Sequence, residues 1–247
     1  MEDFMRSNRN VVKSLFAFFL FLAGAVYAQS YKVALAQIPT TDYYKSLAMA
    51  IGEVSGAALD IQIVPLARSV YLIENKQIDF SLPMLAMKDA AKVQALGYDY
   101  STTVLCQSSF VLVTNKSKPV DIDDLKKGNT KGFKIEADVS MANQFEFAAL
   151  PSTNAEASIK KVSAGTIDGY IHGQAVTDAA LKAVGATNLK RQLYENLDLV
   201  YTLQKGGRGG AVDKLLADAI KKLKDSGRYD KIMGKLVKAL TFNDWQP

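Results

Sequence analysis

From residue 31 onward the chain alternates between two hydrophobic periods. "YKVALAQ" (31–37) places Tyr31, Val33 and Leu35 at every second position, which predicts a half-buried strand. "DYYKSLAMAIGEVSG" (42–56) shifts to three- and four-residue spacing and reaches Gly56, predicting a helix that stops there. "LDIQIVPL" (59–66) alternates again. A helix over 68–75 leads into a strand at "IDFSLP" (78–83), and "MKDAAKVQAL" (87–96) reads as helical. "SSFVLVTN" (108–115) is an apolar strand.

The next stretch, "KSKPVDIDDLKKGNTKG" (116–132), is polar, carries proline and glycine, and holds one short helical turn; it reads as a connection between lobes. A second set of elements follows: strand "FKIEA" (133–137), helix "MANQFEFAAL" (141–150), helix "NAEASIKKVSAG" (154–165), strand "IDGYIHG" (167–173) and helix "AVTDAALKAVG" (175–185). A strand, "LDLVYTLQ" (197–204), can then run back to the first set. Two amphipathic helices, 210–227 and 229–240, finish the chain. Each strand–helix–strand step fits a right-handed crossover, so the expected class is α/β with mostly parallel sheets. No internal repeat or heptad run interrupts this order.

The first residues change the picture of where the protein works. A basic start (Arg6, Arg9, Lys13), an apolar run from Leu15 to about Ala25, and Val26-Tyr27-Ala28 form the pattern of an export signal cleaved after Ala28. The apolar run is shorter than the roughly 20 residues of a bilayer-spanning helix. Beyond residue 28 the chain holds 27 Lys and Arg against 23 Asp and Glu. That mild excess, spread over amphipathic helices, argues against a nucleic-acid partner. Cys106 is the single cysteine, which excludes an internal disulfide, and with one histidine no metal site or cofactor is expected.

Several phrases, in this order, resemble the polar amino-acid (family 3) group of periplasmic solute-binding proteins. They are "VPLARSVYLIENKQIDFSLPML", "KPVDIDDLKKGNTKGFKI", "VSAGTIDGYI" and "LKDSGRYDKIMGKL", and the likeness extends over residues 30–240. The resemblance implies the type II periplasmic-binding fold: two lobes, each a mostly parallel sheet flanked by helices, with two inter-lobe crossovers. It divides the chain into a signal peptide (1–28), lobe 1 (29–114 and 203–247) and lobe 2 (115–202). A small-molecule ligand would sit in the cleft and pass to an ABC permease in the inner membrane, from a monomeric protein in the periplasm. A soluble sensor subunit serving a membrane receptor is the alternative. A dehydratase-like enzyme on the same scaffold is a weaker one, because no nucleophile–base pair stands out and no catalytic residue is assigned.

In amino-acid-binding members, a second-lobe strand ends in an aspartate for the ligand ammonium, and an arginine after the third strand grips the carboxylate. The resemblance puts Gly173 at the first position, between His172 and Gln174. The second falls in "LPMLAMKDAAK" (82–92), which has Lys88 and Lys92 but no arginine. The expectation is a polar solute, amino-acid-like or an organic acid, other than a standard zwitterionic L-amino acid, facing Gln174 and no fixed anion from the second lobe.

Candidate ligand contacts follow from strand ends. Tyr43 and Tyr44 flank the cleft after the first strand and can stack on a solute, or one of them is core with Asp42 as a helix cap. Arg68 can meet an anion or form a surface ion pair. Ser81 and Pro83 end the third strand, and Ser101 approaches the crossover, where it offers a hydroxyl or serves a turn. Asp138 and Ser140 mark a helix N-terminus. His172 is either a pH-sensitive contact or a satisfied, partly buried side chain. "KGGRGG" (205–210) lacks the Walker spacing and reads as a flexible connection, and Cys106 reads as a small buried hydrophobe.

Overall fold

The computed structural model describes residues 29–139, 141–142 and 145–247; the expected signal peptide and the candidate Ser140 lie outside the described residues. Strands β1 (Ser30–Ala36), β2 (Ala58–Val64) and β3 (Phe80–Leu85) are parallel and are connected by α1 (Thr41–Ser55) and α2 (Leu66–Glu74). Helix α1 ends where Gly56 takes the left-handed conformation, φ 72°, which a side chain would disfavour. After α3 (Ala90–Ala95), the 18-residue strand β4 (Tyr98–Asn115) carries the chain from the first lobe into the second.

There α4 (Ile122–Lys126) precedes the parallel strands β5 (Ile135–Asp138), β6 (Leu150–Ser152) and β7 (Gly169–Gly173), with α5 (Ala155–Ser163) between β6 and β7. Helix α6 (Gln174–Val184) follows, and β8 (Leu189–Gln204) returns antiparallel to β4 along almost its whole length. Helices α7 (Ala211–Asp225) and α8 (Arg228–Leu240) close on the first lobe. The eight strands form one sheet in the order β2-β1-β3-β8-β4-β7-β5-β6.

Strand alternation divides the core. In the first lobe Val33 and Leu35 face α1, α7 and α8, packing with Leu47, Ile51, Leu216 and Met233, while Ala34 faces α2 and packs with Leu72 and Ile73. In the second lobe Leu112 and Ile171 face Leu125 and Phe147, and their neighbours Val113 and Tyr170 face Ile159, Val162 and Leu181. The fold is two-lobed, with β4 and β8 as the two crossovers.

Three predicted elements need correction. Strand β4 begins at Tyr98, ten residues before the apolar run, and β8 begins at Leu189 rather than 197. Register shifts between Tyr100 and Val104 and between Val104 and Cys106 break the alternation in the first part of β4. The predicted helix 141–150 is absent from its described residues, which are irregular until β6. Phe145 and Phe147 both pack on Tyr194, with centroids 5.8 and 6.1 Å away. Residues two apart lie on roughly opposite sides of a helix, so this shared contact requires a non-helical chain.

Ser101 is buried and helps to lock α7 to the crossover. It donates to Asp213 Oδ1 at 2.6 Å, and the same carboxylate accepts from Thr102 N, Thr102 Oγ1 and Gly209 N. Burial works against the charge, but the donors from Ser101, Gly209 and Thr102 outweigh it and hold the Asp213 carboxyl below its usual range. Ser101 is therefore spent on structure.

Asp213→Ala should destabilise the protein by about 2–4 kcal/mol, because it strands four donors; an unchanged urea midpoint would refute this. Since the folded pKa is depressed, the stabilisation is present above the unfolded value of about 4 and is lost as pH falls below it. Acid unfolding of Asp213→Asn should accordingly show a shallower dependence in that window.

Candidate ligand cleft

Strands β1, β3, β5 and β7 all end at the gap between the lobes, as their parallel pairings and the antiparallel contact of β7 with β4 require. Ligands bind beyond the carboxyl ends of such strands. A cavity of about 90 Å³ opens there, lined by Met87, Lys88, Asp89 and Lys92 from the first lobe, Met141, Phe145 and Glu146 from the second, and Glu195 and Leu197 from β8. A more open concavity of about 670 Å³ adjoins it on the first-lobe side, lined in part by Thr102, Val104, Asp198, Lys205 and Arg208.

The small cavity mixes apolar walls with partnered charges. Lys88 forms an ion pair with Glu195 across the gap. Glu146 accepts the Tyr194 hydroxyl at 2.7 Å, and Asp89 caps α3 by accepting Ala91 N at 2.9 Å and Lys92 N at 3.2 Å. The expectation of no fixed anion from the later half is thus corrected: Glu146 and Glu195 both line the cavity. Neither was visible as a site residue, because the stretch 189–196 did not read as a strand and 141–150 read as a helix.

Other expected contacts are placed elsewhere. Tyr44, 2% exposed, is packed into the first-lobe core, and Tyr43 rests partly buried on the same cluster. Thr41, not Asp42, ties down the loop before α1, its Oγ1 accepting Ile38 N at 2.8 Å and lying 2.7 Å from Ala36 O. Arg68 is exposed on α2 with its guanidinium 4.7 Å from the Tyr71 ring, beside Asp60 and Gln62 on the outer face of β2. Ser81 is buried against Thr202, Oγ to Oγ1 2.8 Å, and Pro83 is buried next to it. Helix α6 begins at Gln174, whose side chain is buried and donates to Thr241 O at 2.6 Å. Burial therefore removes Tyr44, Ser81, Pro83, Ser101 and Gln174, and position removes Arg68.

Asp138 and His172 remain together at the ends of β5 and β7. His172 Nε2 lies 3.9 Å from Asp138 Oδ2, Nδ1 accepts Gly173 N at 2.7 Å, and the ring stacks on Phe110. Burial pulls the His172 pKa down, and the charge of Asp138 only partly offsets it. Burial raises the Cys106 thiol to about 11, which leaves it unreactive. Among the described residues no group of three or more potential ligands could hold a metal ion.

No family model matches the chain, and no curated protein matches it in sequence. Solved structures match its shape. The ligand-binding core of GluR0 from Nostoc punctiforme, in complex with L-glutamate, is 14% identical, with 83% of this chain and 98% of that one covered at a TM-score of 0.58. This chain has the two-lobed fold of the periplasmic binding proteins. The arginine-, lysine-, histidine-binding protein ArtJ from Geobacillus stearothermophilus is similar at 16% identity, 84% and 94% coverage and a TM-score of 0.56. A histidine kinase sensor domain with similarity to periplasmic binding proteins is 12% identical over 84% and 96% of the two chains, also at 0.56.

The single histidine makes the Asp138 contact directly measurable. The imidazole of His172 should titrate below 6.5 by NMR, and Asp138→Asn should lower it further by removing the one nearby charge that favours protonation; an unchanged or raised value would contradict the pairing.

Proposed function

We propose that this protein is a periplasmic solute-binding protein that captures a small polar solute between its lobes and delivers it to an ABC permease. One observation carries the reading: four parallel strand ends from two separately cored lobes face one gap, and that gap contains a cavity with charged and apolar walls. We take lobe 1 as residues 29–114 and 203–247 and lobe 2 as residues 115–202, with the crossover strands shared at the boundary: Leu112 and Val113 pack in the second-lobe core, and Leu199 and Tyr201 in that of the first. Export and removal of residues 1–28 belong to the same proposal, as does a monomeric state without catalytic activity. The sensor alternative is favoured by the likeness to a histidine kinase sensor domain.

The ligand is amino-acid-like or an organic acid, and not a standard zwitterionic L-amino acid. Gly173 offers no carboxylate at the usual position for an ammonium group, and the carboxylates that do line the cavity are engaged, Glu146 by the Tyr194 hydroxyl and Glu195 by Lys88, the nearest substitute for the arginine. That pair is largely solvent-exposed on the lysine side, so a solute anion can compete for Lys88 at a cost of about 1 kcal/mol or less.

Thermal-shift screening against a solute library tests the reading, because a solute that binds only the folded state raises the melting temperature with the logarithm of its concentration. A hit among small polar solutes with weak or absent response to L-amino acids is expected; absence of any hit would count against solute binding. Outside its two chain neighbours, a Cβ at Gly173 would meet nothing closer than Ser108 Oγ at 4.0 Å, so a side chain can start there without a clash at Cβ. Gly173→Asp should create or strengthen a response to L-amino acids, and an unaltered response would show that this position does not face the ligand.

A further inference from the structure

Arg191 is the largest fully buried side chain in the described protein, at 1% exposed, and the cleft does not use it. It sits near the start of β8, opposite Val113 of β4, well inside the second lobe. Burying a guanidinium is costly unless its charge is paired and its donors are met. Asp178 of α6 supplies the charge: its Oδ1 lies 2.6 Å from Arg191 Nε, and its Oδ2 accepts from Nη2 at 3.1 Å.

The remaining partners come from the C-terminal tail. Arg191 Nη1 donates to Asn243 O at 2.8 Å and to Trp245 O at 2.6 Å. The rings of Phe242 and Trp245 lie 4.7 and 5.6 Å from the guanidinium, within cation–π range. Gln246 accepts the Arg191 backbone N–H and donates back to its carbonyl, both at 3.0 Å. Two further bonds fasten the start of the tail: Gln174 donates to Thr241 O, and Phe242 N donates to Ser109 Oγ at 2.8 Å.

The tail grows out of α8, whose Tyr229, Met233 and Leu236 belong to the first-lobe core. The same short segment is therefore rooted in one lobe and bonded to the other. It lies on the side of α6, whereas the cavity containing Lys88 and Glu195 is lined by Phe145 and Glu146 on the opposite, α4-packed face of the second lobe.

We propose that residues 241–246 form a third inter-lobe connection, clamped by Arg191, which bridges the gap on the α6 side and directs opening and solute entry to the face bearing Lys88, Met141 and Glu195. The inference deepens the solute-binding reading and rests on it only for the entry of solute. The restraint on the lobes holds whether or not a solute is found.

Two tail variants of the otherwise intact protein test it without any ligand: a stop after Thr241, and the milder Gln246→Ala, which leaves Arg191 paired with Asp178. Small-angle scattering should show a larger radius of gyration for the truncated protein. Hydrogen exchange at residues 108–110 and 172–174 should accelerate about tenfold on truncation and less in Gln246→Ala, while circular dichroism stays native-like. Trp245 is the only tryptophan, so its emission should be partly shielded in the native protein and become that of free tryptophan on addition of urea. Unchanged scattering together with unchanged exchange at those amides in both variants would overturn the proposal, as would fully solvent-exposed Trp245 emission in the native protein. A failed solute screen would count against the binding reading while leaving these outcomes intact.

Discussion

The two lobes have separate cores, and one hydrogen-bonded ladder joins them. β4 and β8 pair from Tyr98 opposite Gln204 to Asn115 opposite Leu189; β8 joins β3 in the first lobe, β4 joins β7 in the second, and each strand forms the edge in the other half. A one-residue slip would turn Leu112 and Val113 to the wrong faces in the second lobe and misplace the contacts of β8 with β3 in the first. Register shifts at Val104/Cys106 and at Phe110/Val111 bracket the segment between the lobes. Bulges bend a strand and increase its twist, so the ladder changes direction there without losing its pairing on either side.

The cleft follows from that ladder. Because β4 runs from the first lobe into the second and β7 is antiparallel to it, the carboxyl ends of β3 and β7 meet from opposite sides. Glu195 is carried on the ladder itself, and Lys88 reaches it from the loop after β3. A swing of the lobes that moves Lys88 away from Glu195 would part this ion pair.

Much of the fold was legible in local pattern. Period-two alternation marked β1 and β2, helical spacing marked α1, α7 and α8, and the order of elements predicted a parallel α/β arrangement. The site was much less legible. Strand ends correctly pointed to a gap, but a residue at a strand end can face the gap, the core or the neighbouring strand. Tyr44, Ser81, Ser101 and Gln174 are each buried, and for the three polar ones the partner comes from far away in sequence: Thr202 for Ser81, Asp213 for Ser101, Thr241 for Gln174.

Arg191 shows where the boundary lies. In "LKRQLYEN" it occupies a position that alternation assigns to the core, and its charge hid the strand from a hydrophobic reading. Only the arrival of Asp178 and the tail carbonyls makes a buried guanidinium tolerable at that position. Apart from residues 141–152 and the early parts of the two crossover strands, the sequence by itself determined which segments are helix and strand and how they are ordered, because those properties depend on neighbours within a few residues. The tertiary structure decided the crossover lengths, the fate of each polar side chain and the composition of the cleft, because burial and hydrogen bonding are settled by groups more than 50 residues apart in the chain.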